Sequence, residues 1–224
     1  MLNSYLNEYE QWEALKKWWQ KYNAVIIVAF SLILLSLSGY KYWNWHQEKK
    51  MVQASNTYEH MMLAAANHEP KLIVQYAKDL VEQFPDSIYS DAARLSLAKL
   101  AVSNHEYDKA EAELKWVAEH SKTSELADVA RIRLARLWFG HKDYNKALHV
   151  LKEVHSKVYL PLVDELKGDI YTAMSQFDKA VDFYRKALSE VQNYGVGNLF
   201  LEMKSNDLAP TTNTQAITQV ALKK

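Results

Sequence analysis

The eight histidines are the side chains best suited to bind a metal or to act as a general acid or base, and they are scattered along the chain. None belongs to a His-Glu-x-x-His motif or to another spacing that places metal ligands on one helix face. Two of them, His105 and His141, come just before the aromatic residues of a repeat, where the chain is expected to turn between helices. We interpret them as polar loop residues and predict no metal site. The full set is His46, His60, His68, His105, His120, His141, His149 and His155.

The chain carries no motif for nucleophilic or phosphate chemistry. It has no Gly-rich phosphate loop and no Gly-x-Ser-x-Gly elbow. The lack of Cys excludes thiol nucleophiles, disulfides and cysteine-ligated zinc. Acidic pairs such as Asp164 and Glu165 lie among lysines in helical segments, which is typical of a solvated helix face. The sequence therefore predicts no enzyme, no catalytic residue, no cofactor and no small-molecule substrate.

Clustered arginines are the remaining candidates for binding. Three of the four stand on one predicted helix, so the set can line one groove. Surface pairing with Glu125 and Asp128 at helical spacing is the alternative. The four are Arg94, Arg131, Arg133 and Arg136. Because Lys and Arg (27) balance Asp and Glu (27), nucleic acid is disfavoured as a partner, and so is flat adsorption of the whole domain to anionic lipid.

Composition indicates an all-α protein. The 224 residues are enough for one ordinary domain and an appendage. Hydrophobic residues make up 49% and charged residues 24%, which is average for a folded chain. With only 5 Gly and 4 Pro, turn-rich all-β and low-complexity architectures are disfavoured.

A single transmembrane helix is predicted over residues 22–42. From Tyr22 to Tyr40 no residue is charged, and at ~1.5 Å per residue this stretch nearly matches the ~30 Å hydrocarbon core of a bilayer. Aromatic residues and lysines stand at both ends, as at the two interfaces of a spanning helix. The alternative is a cleaved signal peptide, because Ser36 and Ser38 resemble a small-residue cleavage site. The acidic residues upstream and the aromatic cluster downstream argue against cleavage.

Residues 1–21 are predicted to be an amphipathic N-terminal segment, in which a helix over residues 4–21 leads into the span. This helix either lies along the lipid headgroups or serves as a stem with no binding role. Three lysines precede the span and three follow it within the counted distance. The positive-inside rule therefore gives no orientation.

The rest of the chain contains three copies of one short motif. Glu106–Ala110 reads Glu-Tyr-Asp-Lys-Ala and returns as Asp143–Ala147 and Gln176–Ala180, at offsets of 37 and 33 residues. Such offsets are typical of solenoids, in which helical hairpins stack because one hairpin cannot bury its own apolar face. Each copy continues with apolar residues at steps of four and three, which share one helix face. The nine positions are Ala110, Leu114, Val117, Ala147, Leu151, Val154, Ala180, Tyr184 and Ala187.

The first helix of each hairpin is predicted upstream of its motif. Nine residues before each aromatic stands a small residue, Ala98, Ala135 or Gly168, which lets the two helices approach closely.

A fourth, weaker hairpin fits upstream, with helices over about 47–67 and 70–84, and a short helix over 199–203 is predicted to cap the last repeat. The repeat domain thus extends over residues 47–208. Residues 209–224 have no apolar period and read as a disordered polar tail.

These repeats resemble the tetratricopeptide repeat (TPR), most closely at Phe177, Ala180, Tyr184 and Ala187, although the usual Trp and Leu-Gly of the first helix are missing. The sequence therefore predicts a single N-terminal transmembrane helix followed by a TPR-like α-solenoid of about four helical hairpins.

A closer resemblance rests on the acidic-aromatic N-terminus, the single span and the stretch Tyr42-Trp43-Asn44-Trp45-His46-Gln47. With these features the chain resembles the YfgM family of Gram-negative bacteria over about residues 5–208. Further matches are Leu134-Ala135-Arg136, Asp164 to Asp169, and Met203-Lys204 with Asn206 and Leu208. The departures are the longer tail and Trp45, where the family tends to have a small polar residue.

The resemblance implies an ancillary subunit of the Sec translocon. It implies a cytoplasmic N-terminal segment, a single-pass type II helix in the cell inner membrane and a periplasmic repeat domain. The implied partners are the SecYEG channel, the membrane-anchored periplasmic chaperone PpiD and emerging secretory client proteins. Apart from the resemblance, the same repeats fit a membrane-anchored scaffold for envelope assembly or for a cytoplasmic signalling complex.

The sequence leaves open whether partners bind the concave groove or the convex face of the solenoid. Aromatic residues of the first helices, Trp138, Phe139 and Tyr171, would favour peptide-type clients if they line the groove. If they are buried between hairpins, they belong to the core.

Overall fold

The computed structural model describes residues 2–193 and 199–208, and every regular element in these two ranges is helical. The predicted all-α class is therefore confirmed. The tail over residues 209–224 lies outside the described residues. The helices are α1 (Leu2–Ala66), α2 (Pro70–Gln83), α3 (Ile88–Ser103), α4 (Tyr107–His120), α5 (Ser124–Gly140), α6 (Tyr144–Val150), α7 (Leu160–Ala173), α8 (Phe177–Asn193) and α9 (Leu199–Leu208), with short 3-10 turns at Leu151–Glu153 and Lys157–Tyr159.

The chain divides into two compact units, Met1–Gln53 and Ala54–Lys224. In the first unit, α1 exposes large apolar side chains around its whole circumference, because the successive residues from Leu32 to Leu35 are each 52–69% exposed and lie 100° apart. Among the residues that were described, no helix is both long and apolar enough to cross a membrane. The transmembrane helix over residues 22–42 stays a prediction, as do the domain boundaries.

The second unit stacks four helical hairpins in chain order. The end of α1 packs with α2, while α3 pairs with α4, α5 with α6 and α7 with α8. Successive hairpins share apolar surface, since α2 also packs on α3, α4 on α5, and both α5 and α6 on α7. The predicted capping helix is the start of α9, which packs on α8. The TPR-like solenoid expected from the repeats is thus present.

Equivalent left-handed residues close the four hairpins. His68, His105, Lys142 and Ser175 have φ between 57° and 64°. In each turn the N–H of this residue donates to the carbonyl three positions back, and the next N–H donates to the carbonyl five positions back, at 2.8–3.2 Å. This is the Schellman arrangement that ends many helices. The spacings of 37, 37 and 33 residues place the weak first hairpin in the same register as the other three.

The predicted core positions are buried. None of the nine repeat positions is more than 6% exposed, and the small residues Ala98, Ala135 and Gly168 are buried as well. The middle repeat differs in one respect. Its helix α6 ends at Val150, and Val154 lies beyond it in extended backbone while staying buried.

Candidate partner-binding surface

The histidines contact backbone carbonyls and aromatic rings. No three His, Asp or Glu side chains gather to hold a metal ion in the part of the chain that the structure describes. Nδ1 of His120 and Nδ1 of His141 donate to carbonyls one turn earlier, at 3.0 and 2.8 Å. Because a carbonyl only accepts, Nδ1 carries a hydrogen in both rings.

Two buried carboxylates hold the loops between hairpins. Asp91 in α3 accepts a hydrogen bond from Ser121 Oγ at 2.7 Å, and burial raises the pKa of this carboxyl. Asp128 stands 37 residues later in α5 and accepts from the N–H groups of His155 and Ser156 at 3.3 and 2.9 Å. Capture of these two N–H groups explains why the chain is extended beyond the 3-10 turn that follows α6. Both carboxylates have a structural role.

The interpretation of Asp164 as part of a solvated face is wrong. Its side chain is fully buried, and it forms ion pairs with Lys167 at 3.2 Å and with Lys186 of α8 at 2.9 Å. The neighbouring Glu165 is a quarter exposed and pairs with Lys204 of α9 at 2.9 Å. Two of the three lysines come from helices later in the chain, so the spacing within α7 does not reveal the burial.

The four arginines do not line one groove. Arg94 lies over the Trp116 ring, with 3.9 Å from Cζ to the ring centroid, and pairs with Glu113 at 2.7 Å. Arg131 pairs with Asp128 at 2.9 Å, which confirms the pairing alternative for this residue. The other two arginines, Arg133 and Arg136, share a different location.

Arg133 and Arg136 line a cleft of about 650 Å³ between α3 and α5, called here the basic cleft. Its apolar floor includes Ala98 and Leu114, which are 2% and 3% exposed. Lys99 of α3 is its third cation. The full lining is Ala98, Lys99, Val102, Ser103, Tyr107, Leu114, Arg133, Arg136, Leu137, Gly140 and His141.

A second cleft of similar size, the mixed cleft, adjoins the first at Tyr107, Leu137 and His141, which line both. The rings of Tyr107 and His141 meet edge to face, with centroids 4.4 Å apart. The mixed cleft contains acids and bases that pair with each other, such as Lys109 with Glu106 at 3.0 Å and Lys146 with Asp143 at 3.1 Å. Its full lining is His105, Glu106, Tyr107, Asp108, Lys109, Glu111, Leu137, Trp138, His141, Asp143 and Lys146.

The cations of the basic cleft have no acidic partner within the described ranges. No Asp or Glu lines this cleft, and the positions three and four residues from Lys99, Arg133 and Arg136 on their own helices carry none. Nη1 of Arg133 donates to the carbonyl of Leu95 in α3 at 3.4 Å. The basic cleft therefore combines an apolar floor with free positive charge.

The aromatic residues proposed for the groove belong to the core. Trp138 is 9% exposed in the main apolar cluster, Phe139 packs against that cluster, and Tyr171 packs against the cluster of the last hairpin. Sequence reasoning missed Lys99 altogether. The sequence does contain a signal for this residue. Like Arg133 and Arg136, Lys99 has no Asp or Glu three or four residues away on its own helix.

Comparison with known proteins agrees with this architecture. Residues 16–210 match the family described as tetratricopeptide repeat-like domain. The chain belongs to this family. Two curated relatives are each named ancillary SecYEG translocon subunit. The one from Aggregatibacter actinomycetemcomitans is 30% identical over 96 residues, 43% of this chain and 47% of the relative. The one from Haemophilus influenzae is 33% identical over 79 residues, 35% of this chain and 36% of the relative.

The aligned stretches span less than half the length of either relative. Together with the family match they confirm the assignment to a YfgM-like family. Among solved structures, the crystal structure of MamA is similar with a TM-score of 0.45 at 16% identity, covering 71% of this chain and 94% of that one.

Proposed function

We propose that this protein is an ancillary subunit of the Sec translocon, a tethered adaptor that links the channel exit to periplasmic chaperones and emerging secretory proteins. The basic cleft is the observation that carries this proposal. A cleft with an apolar floor and unpaired cations, set between successive hairpins, suits the binding of another chain. The choice of the SecYEG translocon as the partner complex rests on the names of the two relatives. The choice of the chaperone PpiD as a partner rests on the resemblance to the YfgM family.

The proposed tether is the segment over residues 22–42 in the inner membrane, with residues 1–21 in the cytoplasm and the repeats in the periplasm. It is supported by the uncharged stretch from Tyr22 to Tyr40 and by the apolar side chains that α1 exposes around its circumference. A helix that is apolar on all sides needs an apolar environment. Tethering raises the effective concentration of the repeats at the channel exit, so weak contacts suffice.

Topology is the first test, and the lack of Cys in the chain makes it clean. One variant carries a single cysteine at Asn206, which is exposed, whereas the neighbouring Ser205 is buried and unsuited to labelling. A second variant carries a single cysteine at Glu13, which is also exposed. Intact cells of each variant are labelled with a membrane-impermeant maleimide. Asn206→Cys should be labelled while the inner membrane is intact, and Glu13→Cys only after lysis. The reverse pattern would place the repeats in the cytoplasm and leave the signalling scaffold as the better function.

Association with the channel is the second test. The tagged full chain, purified in mild detergent from its own membranes after crosslinking, should carry SecYEG subunits and a membrane-anchored chaperone. Recovery of envelope-assembly proteins without SecYEG would overturn the translocon role in favour of an envelope scaffold. Recovery of SecYEG without any chaperone would retain the translocon role but overturn the adaptor part.

A further inference from the structure

We infer that the basic cleft binds a short acidic segment of a partner protein, with carboxylates on Lys99, Arg133 and Arg136 and apolar side chains on the floor between α3 and α5. The inference rests on the proposed function in one respect, that the repeat domain binds proteins. It adds the chemistry of the segment that is bound and the place where it binds.

Unpaired like charge is the first argument. Arg133 and Arg136 are three residues apart on α5 and therefore share one helix face. Like charges at this spacing repel each other, and no carboxylate lines the cleft to offset the repulsion. In the adjoining mixed cleft, Lys109 and Lys146 are neutralised by acids of this same chain. Cations are paired with acids of this chain in the mixed cleft but, among the described residues, not in the adjoining basic cleft. This difference indicates that carboxylates of a partner pair with the cations of the basic cleft.

Arg133 makes one hydrogen bond to the facing helix and keeps donors for a ligand. Its Nη1 donates to the Leu95 carbonyl of α3 at 3.4 Å. A guanidinium has five N–H donors in a planar fork, so most of them stay available for a carboxylate. Charge-assisted bonds of this kind are among the stronger hydrogen bonds in proteins.

The floor favours polypeptide over nucleic acid. A cleft of about 650 Å³ has the size of an ordinary ligand pocket, and its floor is aliphatic, with Ala98, Val102, Leu114 and Leu137. Single-stranded nucleic acid binds on aromatic stacking platforms in a broadly positive groove. Here the exposed aromatic Tyr107 is covered on one side by His141. Leucine-sized side chains between carboxylates fit this lining better than bases.

The test uses the full chain in a non-ionic detergent and a fluorescein-labelled dodecapeptide made of Asp, Leu and Ser. Fluorescence anisotropy should show saturable binding that weakens as salt rises, because salt screens the charge pairs. The same peptide with every Asp replaced by Asn should bind at least about tenfold more weakly, which corresponds to about 1.4 kcal/mol. An oligothymidylate should not compete.

Matched variants separate the cleft from general charge. Arg136→Glu should lower the affinity for the acidic peptide by about tenfold or more. Arg185→Glu makes the same change at an exposed arginine of α8 outside the cleft and should leave the affinity within about twofold. Circular dichroism shows whether both variants stay folded. Equal losses in the two variants, equal binding of the Asn peptide, or competition by the oligothymidylate would each overturn the inference.

Position is tested by alkylation. A bromoacetyl group on the acidic peptide should modify Ser103→Cys in the cleft faster than Ser189→Cys. Both are exposed serines whose hydroxyl bonds a carbonyl about one turn back. Equal rates would contradict binding in the basic cleft. If the peptide fails to bind while the full chain still recovers SecYEG, the acidic-segment inference is wrong and the translocon role stands.

Discussion

The ring of Tyr184 lies directly against the backbone of Gly168, so a β-carbon on residue 168 would stand 2.6 Å from Cδ1 of that ring. The Tyr184 hydroxyl donates to Asp169 Oδ1 at 2.7 Å, and Lys204 Nζ of α9 lies 2.8 Å from the same oxygen. Burial, together with the nearby carboxylates, raises the pKa of the phenol. Asp169 of α7 thus binds both Tyr184 of α8 and Lys204 of the capping helix α9.

The first prediction concerns this close approach. Gly168→Ala should lower the free energy of unfolding by about 1–3 kcal/mol, because the added methyl group pushes the helices apart. Gly140→Ala is the matched control, since nothing lies within 4 Å of its added β-carbon. It should be neutral or stabilise by up to about 1 kcal/mol through helix propensity. Urea unfolding measures the free energy of unfolding of both variants. Equal values for the two would contradict the close contact between Gly168 and the Tyr184 ring.

The second prediction tests the repeat register. Ala180 is fully buried in the cluster of the last hairpin, so Ala180→Asp should cost several kcal/mol by burying an unpaired charge. Ala112→Asp makes the same change on the exposed face of α4 and should cost roughly 0.7 kcal/mol or less from helix propensity. Thermal melts followed by circular dichroism measure the difference. A similar melting temperature for the two variants would show that Ala180 does not face the neighbouring helix.

The third prediction follows from the left-handed turn residues. Lys142 has φ of 64°, a conformation in which a β-carbon is strained. Lys142→Gly should therefore raise the free energy of unfolding by about 0.5–1 kcal/mol. Lys78→Gly, at an exposed position inside α2, should lower it by about 1 kcal/mol. Denaturant midpoints at constant m-value give both numbers, and the same sign at the two positions would refute the turn assignment.

The fourth prediction is a pH dependence. Burial raises the pKa of Asp91 above its usual 3.8, so the folded state binds this proton more tightly than the unfolded state does. The contribution of Asp91 to stability should therefore grow as pH falls toward 3.8 and be lost as pH rises through the folded-state pKa. In Asp91→Asn, the free energy of unfolding should no longer grow through this group as pH falls, while the Asn side chain still accepts a hydrogen bond from Ser121. Stability is measured by urea unfolding from pH 7 downward.

Asp86 serves as the control for Asp91 because its shift has the opposite sign. The Lys122 ammonium, 2.7 Å away, lowers the pKa of this exposed carboxyl. Its contribution to stability is present above pH 3.8 and fades as pH falls through the folded-state pKa. In Asp86→Asn, the part of the free energy of unfolding that the wild-type protein loses through Asp86 as pH falls should therefore no longer be lost. A parallel change of the two pH profiles would contradict the assignment of Asp91 as the buried carboxyl.

Some features of this protein follow from the sequence alone. The steps of four and three residues from Ala110 to Val117, and the return of this pattern at offsets of 37 and 33 residues, were enough to predict the second helices, the small residues at which the two helices of a hairpin approach, and the stacking of hairpins. These features are local, because helical periodicity and the need to cover one apolar face act within a few turns of one chain segment. That the Gly168 backbone meets the Tyr184 ring comes from the structure alone.

The charged residues were decided by the tertiary structure. Asp164 reads as solvated among the lysines around it, yet Lys186 of α8 closes over it at 2.9 Å. The spacing along α5 already predicts the pair of Arg131 with Asp128, but only the structure shows that Asp128 is buried and that Arg136 lines a cleft that no described Asp or Glu lines. Whether a charge is paired, buried or free depends on side chains contributed by neighbouring hairpins. The electrostatic free energy of each group is set by those distances and by the local loss of water, and neither is contained in the spacing along one helix.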